Sequence, residues 1–214
     1  MKRKFQHIAY LLMVAAVLTS CGEKKQTSEF PDWAWADFQR PEGINPIVSP
    51  DTTTVFYCPM RQDSVAWESS DTFNPAATIY DGKVVVLYRA EDNSAVGIGS
   101  RTSRLGYAYS DDGLHFNRMT VPVFYPADDN QKELEWPGGC EDPRVAVTDD
   151  GLYVMLYTQW NRKQARLAVA TSRDLQIWEK YGPAFAKAYG GRFFDEFSKS
   201  ASIVTKLVDG KQVI

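Results

Sequence analysis

Two stretches decide the fold: "FNPAATIYDGKVVVLYRAED", Phe73–Asp92, and "CEDPRVAVTDDGLYVMLYTQW", Cys140–Trp160. Laid over each other, both carry a polar residue before proline, a β-branched run, an Asp-Gly pair and an alternating apolar run that reaches a tyrosine. Asp-Gly between such runs is a strong hairpin signal, because both residues tolerate the left-handed backbone of a tight turn. Working outward, each hairpin is followed by a second matched pair, "RLGYAYSDDGLHF" from Arg104 and "RLAVATSRDLQIW" from Arg166. Gly82 and Gly151 lie 69 residues apart and Arg104 and Arg166 lie 62 apart, so a four-stranded unit recurs every sixty-odd residues. An all-β repeat of that length predicts propeller blades. A third copy opens at "SKSASIVTKLVDGKQV", Ser198–Val213. Two blades and a hairpin fall short of the roughly four that closure needs, so the expectation is a partial β-propeller over 41–214 that reads as cut short at its C-terminal side. A β-sandwich of separate hairpins would share the short strands but gives no reason for units that match in order and turn chemistry.

The 214 residues are 44% hydrophobic and 24% charged, enough apolar material for a real core. With 24 Lys+Arg against 27 Asp+Glu the formal charge is −3, and no long basic run follows the N-terminus, which argues against a nucleic-acid partner. The first residues, "MKRKFQHIAYLLMVAAVLTSCGEKK", combine a basic start, an apolar run too short to span a bilayer and a terminal "LTSC". "LTSC" resembles a bacterial lipobox, so residues 1–21 are expected to be a lipoprotein signal peptide with Cys21 lipidated, and 22–40 a polar linker. This predicts export to the periplasm or outer membrane, with membrane contact through the lipid alone. Cys58 and Cys140 are then an even pair in an oxidising compartment, and two thiols leave open whether they bridge or stay as buried apolar groups.

Propeller blades set the starts of their innermost strands around a central funnel, and both Asn74-Pro75 and "EDPR" at Glu141–Arg144 fall at that point of their repeats. Asx before proline also serves as a plain strand-initiating turn. The added acid, base and Gly138-Gly139 pair nevertheless raise the local polar density to that of a site. Neighbouring side chains of a regular strand face opposite ways, so one of Glu141 and Asp142 is expected to face the axis and the other to support it. His7 and His115 offer no material for a histidine triad or metal cluster, so no metal is expected. Among six Trp and eleven Tyr, Trp136 and Trp160 are candidate walls for a sugar ring, whereas Trp178 and Phe116 read as packing.

Taken together, "NPAATIYDGKVVVLYRAED", "SRLGYAYSDDGLHF", the long stretch from Gly138 to Trp178 and "KSASIVTKLVDGKQ" resemble glycoside hydrolase family 130, β-mannoside phosphorylases and related hydrolases with a five-bladed propeller. The resemblance implies inverting attack on a β-mannosidic bond of an oligosaccharide, with inorganic phosphate as co-substrate in place of a cofactor. It implies Asp142 as the general acid, its proton passing through a hydroxyl of the bound mannose. Asn74, Arg89, Glu141 and Arg144 are then substrate-binding. Phosphate arrives already anionic and needs cations rather than a second carboxylate, which points to Arg162, Arg166 and Lys199. An inverting β-mannosidase using water and a non-catalytic glycan-binding lipoprotein are the alternatives.

Overall fold

Alternation from Lys83 onward folds into strand β4 (Lys83–Glu91), but both of its faces are covered. Val86, Tyr88 and Ala90 face one apolar cluster and Val85 and Leu87 another, because the strand lies in the middle of its blade. The computed structural model describes residues 39–204 and the short strands Leu207–Val208 and Lys211–Gln212. The chain divides into two compact units, Met1–Pro41 and Glu42–Ile214, and every described strand belongs to the second. Cys21 and the leader fall outside the described residues.

A hairpin of β1 (Phe56–Cys58) and β2 (Asp63–Val65) precedes the first blade. That blade comprises β3 (Asp71–Tyr80), β4, β5 (Ser103–Ser110) and β6 (Asn117–Arg118), all antiparallel. Asp81 and Gly82 turn β3 into β4 with φ of 49° and 73°, as the Asp-Gly signal requires. A helical turn, Lys132–Glu135, leads to the second blade: β7 (Gly139–Val147), β8 (Tyr153–Trp160), β9 (Ala165–Ser172) and β10 (Glu179–Pro183). Here the turn is longer than the Asp-Gly pair alone predicts, with Thr148 bonding across it to Leu152. The third unit begins as β11 (Leu207–Val208) paired with β12 (Lys211–Gln212). The result is the all-β, partial propeller expected from the repeat.

The innermost strands β3 and β7 pack side by side, and β5 meets β7 through one parallel pair, Ser103 opposite Gly139. Gly139 is obligatory there: its φ is 113°, and a Cβ would collide with the Ser103 backbone. Leu87, Leu105, Phe124, Met155, Tyr157 and Leu175 fill the space between the blades, while Phe56, Val65, Trp67, Val86 and Tyr88 fill the space under the first hairpin. Cys58 and Cys140 are buried and unbridged, one in each cluster.

Each blade carries the same buried polar clamp. The Tyr88 hydroxyl donates to Glu68 at 2.8 Å and Arg118 reaches the same oxygen at 3.2 Å; Tyr157 donates to Glu135 at 2.8 Å and Lys180 reaches it at 2.5 Å. Both glutamates are fully buried and sit just before an innermost strand, so the clamp ties a blade's entry segment to its second and outermost strands. Burial pushes both carboxyls up, against the pull of their partners. Since Glu68 Oε1 already lacks a partner, Tyr88→Phe is expected to cost about 1–3 kcal/mol of stability in a denaturant titration. A loss below about 0.5 kcal/mol would show that the hydroxyl does not hold the segment.

Candidate functional site

The site grows from two bulges. The register of β3 slips between Phe73 and Ala76 and that of β7 between Glu141 and Arg144. Inside them Asn74 and Asp142 take left-handed backbone, φ 45° and 51°. Both residue types tolerate that region, and the following Pro75 and Pro143 have no N–H for the ladder to lose. The bulge overturns the expectation that Glu141 and Asp142 face opposite ways, because the extra residue breaks the strict alternation of a regular strand.

Both acids converge on Arg89. Its Nη1 donates to Asp142 Oδ1 at 3.0 Å, and its Nη2 to Glu141 Oε1 at 2.9 Å and Glu91 Oε1 at 2.6 Å. Its Nε donates to Ser103 Oγ at 3.0 Å, and Ser103 in turn donates to Glu91 at 3.1 Å. The Phe73 ring lies 4.5 Å from the guanidinium. Asn74 Nδ2 donates to Asp142 Oδ1 at 2.8 Å. Lys199 Nζ donates to Glu141 Oε2 at 2.8 Å and stands 3.5 Å from Asp142 Oδ2. Arg89, Glu91, Glu141 and Asp142 are all buried.

Burial alone would raise the Asp142 carboxyl, but the Asn74 amide, Arg89 and Lys199 outweigh it and hold it below the ordinary range. For Glu141 burial wins: its carboxyl is raised despite Arg89 and Lys199, with the Asp142 charge adding to the rise. Two adjacent acids pushed apart in this way give one group inclined to hold a proton and one inclined to release it.

The remaining residues expected at the site go elsewhere. Arg144 donates to the Pro143 carbonyl and borders a cavity of about 270 Å³ with Pro75, Ala76, Ala77, Ser202 and Ile203. Arg162 is exposed in the β8–β9 turn. Arg166 spends its guanidinium on the Phe194 carbonyl at 3.0 Å and Asp195 at 2.9 Å, against the Phe194 ring. Its repeat counterpart Arg104 does the same with Asp92 and Phe56, which marks Arg166 as part of the architecture. Of the three expected phosphate-binding cations, then, Lys199 alone is tied to the acids among the described residues. Trp136 packs on the hairpin core, and Trp160 donates to the Gly99 carbonyl at 2.7 Å with its ring 6.4 Å from that of Phe197. Sequence reasoning missed Glu91 and Ser103. Glu91 was within reach of it, being two residues from Arg89 on one strand and therefore on the same face.

A buried acid pair at the start of the second blade, tied to Asn74 and Arg89 of the first, defines the candidate site of a propeller protein. The family model of glycoside hydrolase family 130, described as beta-1,4-mannooligosaccharide phosphorylase, matches residues 39–214, and the chain belongs to that family. A curated 1,2-beta-oligomannan phosphorylase of Thermoanaerobacter sp. (strain X514) is 36% identical over 152 residues, 69% of this chain and 46% of the relative. A candidate glycosidase of Bacteroides thetaiotaomicron VPI-5482, solved by crystallography, shares 99% identity and a TM-score of 0.82 over 87% of this chain and 54% of that one. A further solved structure is 69% identical, with a TM-score of 0.81 over 86% of this chain and 52% of that one. It comes with the statement that the family of mannoside phosphorylases contains glycoside hydrolases that target beta-1,2 mannosidic linkages in Candida mannan. The chain spans about half the length of these relatives.

Because the Asp142 carboxyl is lowered in the fold, its share of stability is present above the unfolded carboxylate range and is lost as pH falls through the lowered value. Removing the Asn74 amide by Asn74→Ala is expected to move that carboxyl upward, read by a ¹³C carboxyl NMR titration. An unmoved carboxyl would mean that Asn74 does not set its charge.

Proposed function

We propose that the protein cleaves β-1,2-mannosidic bonds of oligomannosides with inversion, using water as the nucleophile and Asp142 as the general acid. The observation that carries this reading is the charge balance of the acid cluster. Arg89 already spends four of its five N–H groups on Glu91, Glu141, Asp142 and Ser103, and Arg166 is committed to Asp195. Among the described residues, a phosphate dianion entering beside three carboxylates would meet a single adaptable cation, Lys199, whereas water enters without a charge penalty. The β-1,2 linkage is supported by the description accompanying the relative at 69% identity and by the names of both curated relatives, at 36% and 32%.

Held by Asn74, Arg89 and Lys199, Asp142 is ionised at neutral pH. A sugar that displaces Lys199 and Asn74 from it removes two of the influences that lower the carboxyl, which shifts it toward holding the proton that the leaving oxygen needs. Attack by water also requires a carboxylate base about 6.5–9.5 Å from the acid. Glu141 shares Arg89 with Asp142, on the same side of the bond to be cut, and is not assigned that role. Phosphorolysis is the second reading, favoured by the reach of Lys199 to the acid and by the curated phosphorylases. Export as a lipoprotein through Cys21 belongs to the same proposal and rests on the "LTSC" stretch.

The test is turnover of β-1,2-mannobiose by the purified protein with and without inorganic phosphate, with products followed by NMR. Expected are equal rates, free mannose appearing first as the α-anomer, and a drop in kcat of about 10²–10⁴-fold in Asp142→Asn. Phosphate-dependent mannose 1-phosphate would establish phosphorolysis, and sugar binding without turnover would leave a glycan-binding protein.

A further inference from the structure

A third residue repeats the backbone of Asn74 and Asp142. Ser200 has a φ of 45°, against 45° for Asn74 and 51° for Asp142, and occupies the same place at the start of the third repeat unit. The residues just before them correspond too. Phe73 lies against Arg89, Glu141 joins Arg89 to Lys199, and Lys199 returns to Glu141.

Left-handed backbone is harder to explain at Ser200 than at the other two. Serine bonds its own backbone more weakly than Asn and Asp do, so the conformation is less favoured for it and persists where the surroundings impose it. No proline follows, since Ala201 stands where Pro75 and Pro143 stand. The Lys199–Glu141 ion pair anchors the preceding residue to the acid cluster. Ser200 is exposed and has no hydrogen-bond partner among the described residues. At the two matching positions the side chains meet, the Asn74 amide on the Asp142 carboxylate.

We infer that Ser200 is a substrate-binding residue: its hydroxyl is the third member of a ring with Asn74 and Asp142 and hydrogen-bonds a hydroxyl of the sugar held against the acid. The inference deepens the proposed β-mannoside cleavage and rests on it. One hydroxyl each on protein and sugar can exchange donor and acceptor roles, so this contact serves a neutral ligand without adding charge to a cluster that already holds three carboxylates.

Ser200→Gly tests this directly, because glycine keeps the left-handed backbone without steric cost while the hydroxymethyl group is removed. With β-1,2-mannobiose, kcat/KM is expected to fall about 3- to 10-fold, mainly through KM, while the melting temperature stays level or rises. Ser200→Ala, which removes the hydroxyl alone, should lose the same affinity with the melting temperature level. A glycine variant with wild-type kcat/KM overturns the inference. If the wild type turns over no mannoside, the cleavage reading fails by itself, and calorimetric Kd for β-1,2-mannobiose decides Ser200: a weaker Kd in the glycine variant supports it and an equal one overturns it. A wild type that neither cleaves nor binds the sugar overturns both.

Discussion

The structure hangs on the neutralisation of one buried guanidinium. A guanidinium has N–H donors on all three nitrogens and no acceptor, so each direction in which buried Arg89 donates has to be answered inside the protein. Ser103 and Glu91 answer from the first blade, and Glu141 and Asp142 answer from the second. The charge match is therefore also a docking contact between blades. Taking away one carboxylate would leave an N–H group of that guanidinium without its acceptor in a buried place, where a missing partner is costly. The acid that would do chemistry and the contact that sets one blade against the next are parts of a single electrostatic object.

The repeats separate what builds the fold from what gives it chemistry. Where the copies agree, the residues are architectural: Tyr88 with Glu68 and Arg118 mirrors Tyr157 with Glu135 and Lys180, and Arg104 over Phe56 mirrors Arg166 over Phe194. Where the copies differ, function gathers. The left-handed residue is an amide in the first unit, a carboxylic acid in the second and a hydroxyl in the third, and Arg89 gives way to Thr158 at the matching place in the second blade.

Strand order and turns were legible because they are local: alternation, Asp-Gly pairs and the Ser-Asp turns at Ser110 and Ser172 lie within a few residues of what they control. The polar residues of the repeat starts were legible too, since proline after Asn74 and Asp142 marks the place. What stayed hidden depends on distant partners. Arg166 reads as a free cation until Phe194 and Asp195, 28 and 29 residues on, claim it. The clamp glutamates lie where no periodicity marks them, Glu68 in an irregular connection and Glu135 at the end of a single helical turn. The convergence of Glu141 with Asp142 required a bulge, which alternation by its nature excludes.

The seam between the blades has one parallel residue pair, and on one side of it there is only a hydrogen atom. Two residues beyond Gly139 comes Glu141, and then Asp142. Such an arrangement works like the zero mark of a ruler: the distance from seam to acid is counted in backbone bonds rather than set by side-chain packing. Descendants of this chain can therefore drift widely over their outer strands and still keep their chemistry aligned, provided that nothing is inserted or deleted along that short span.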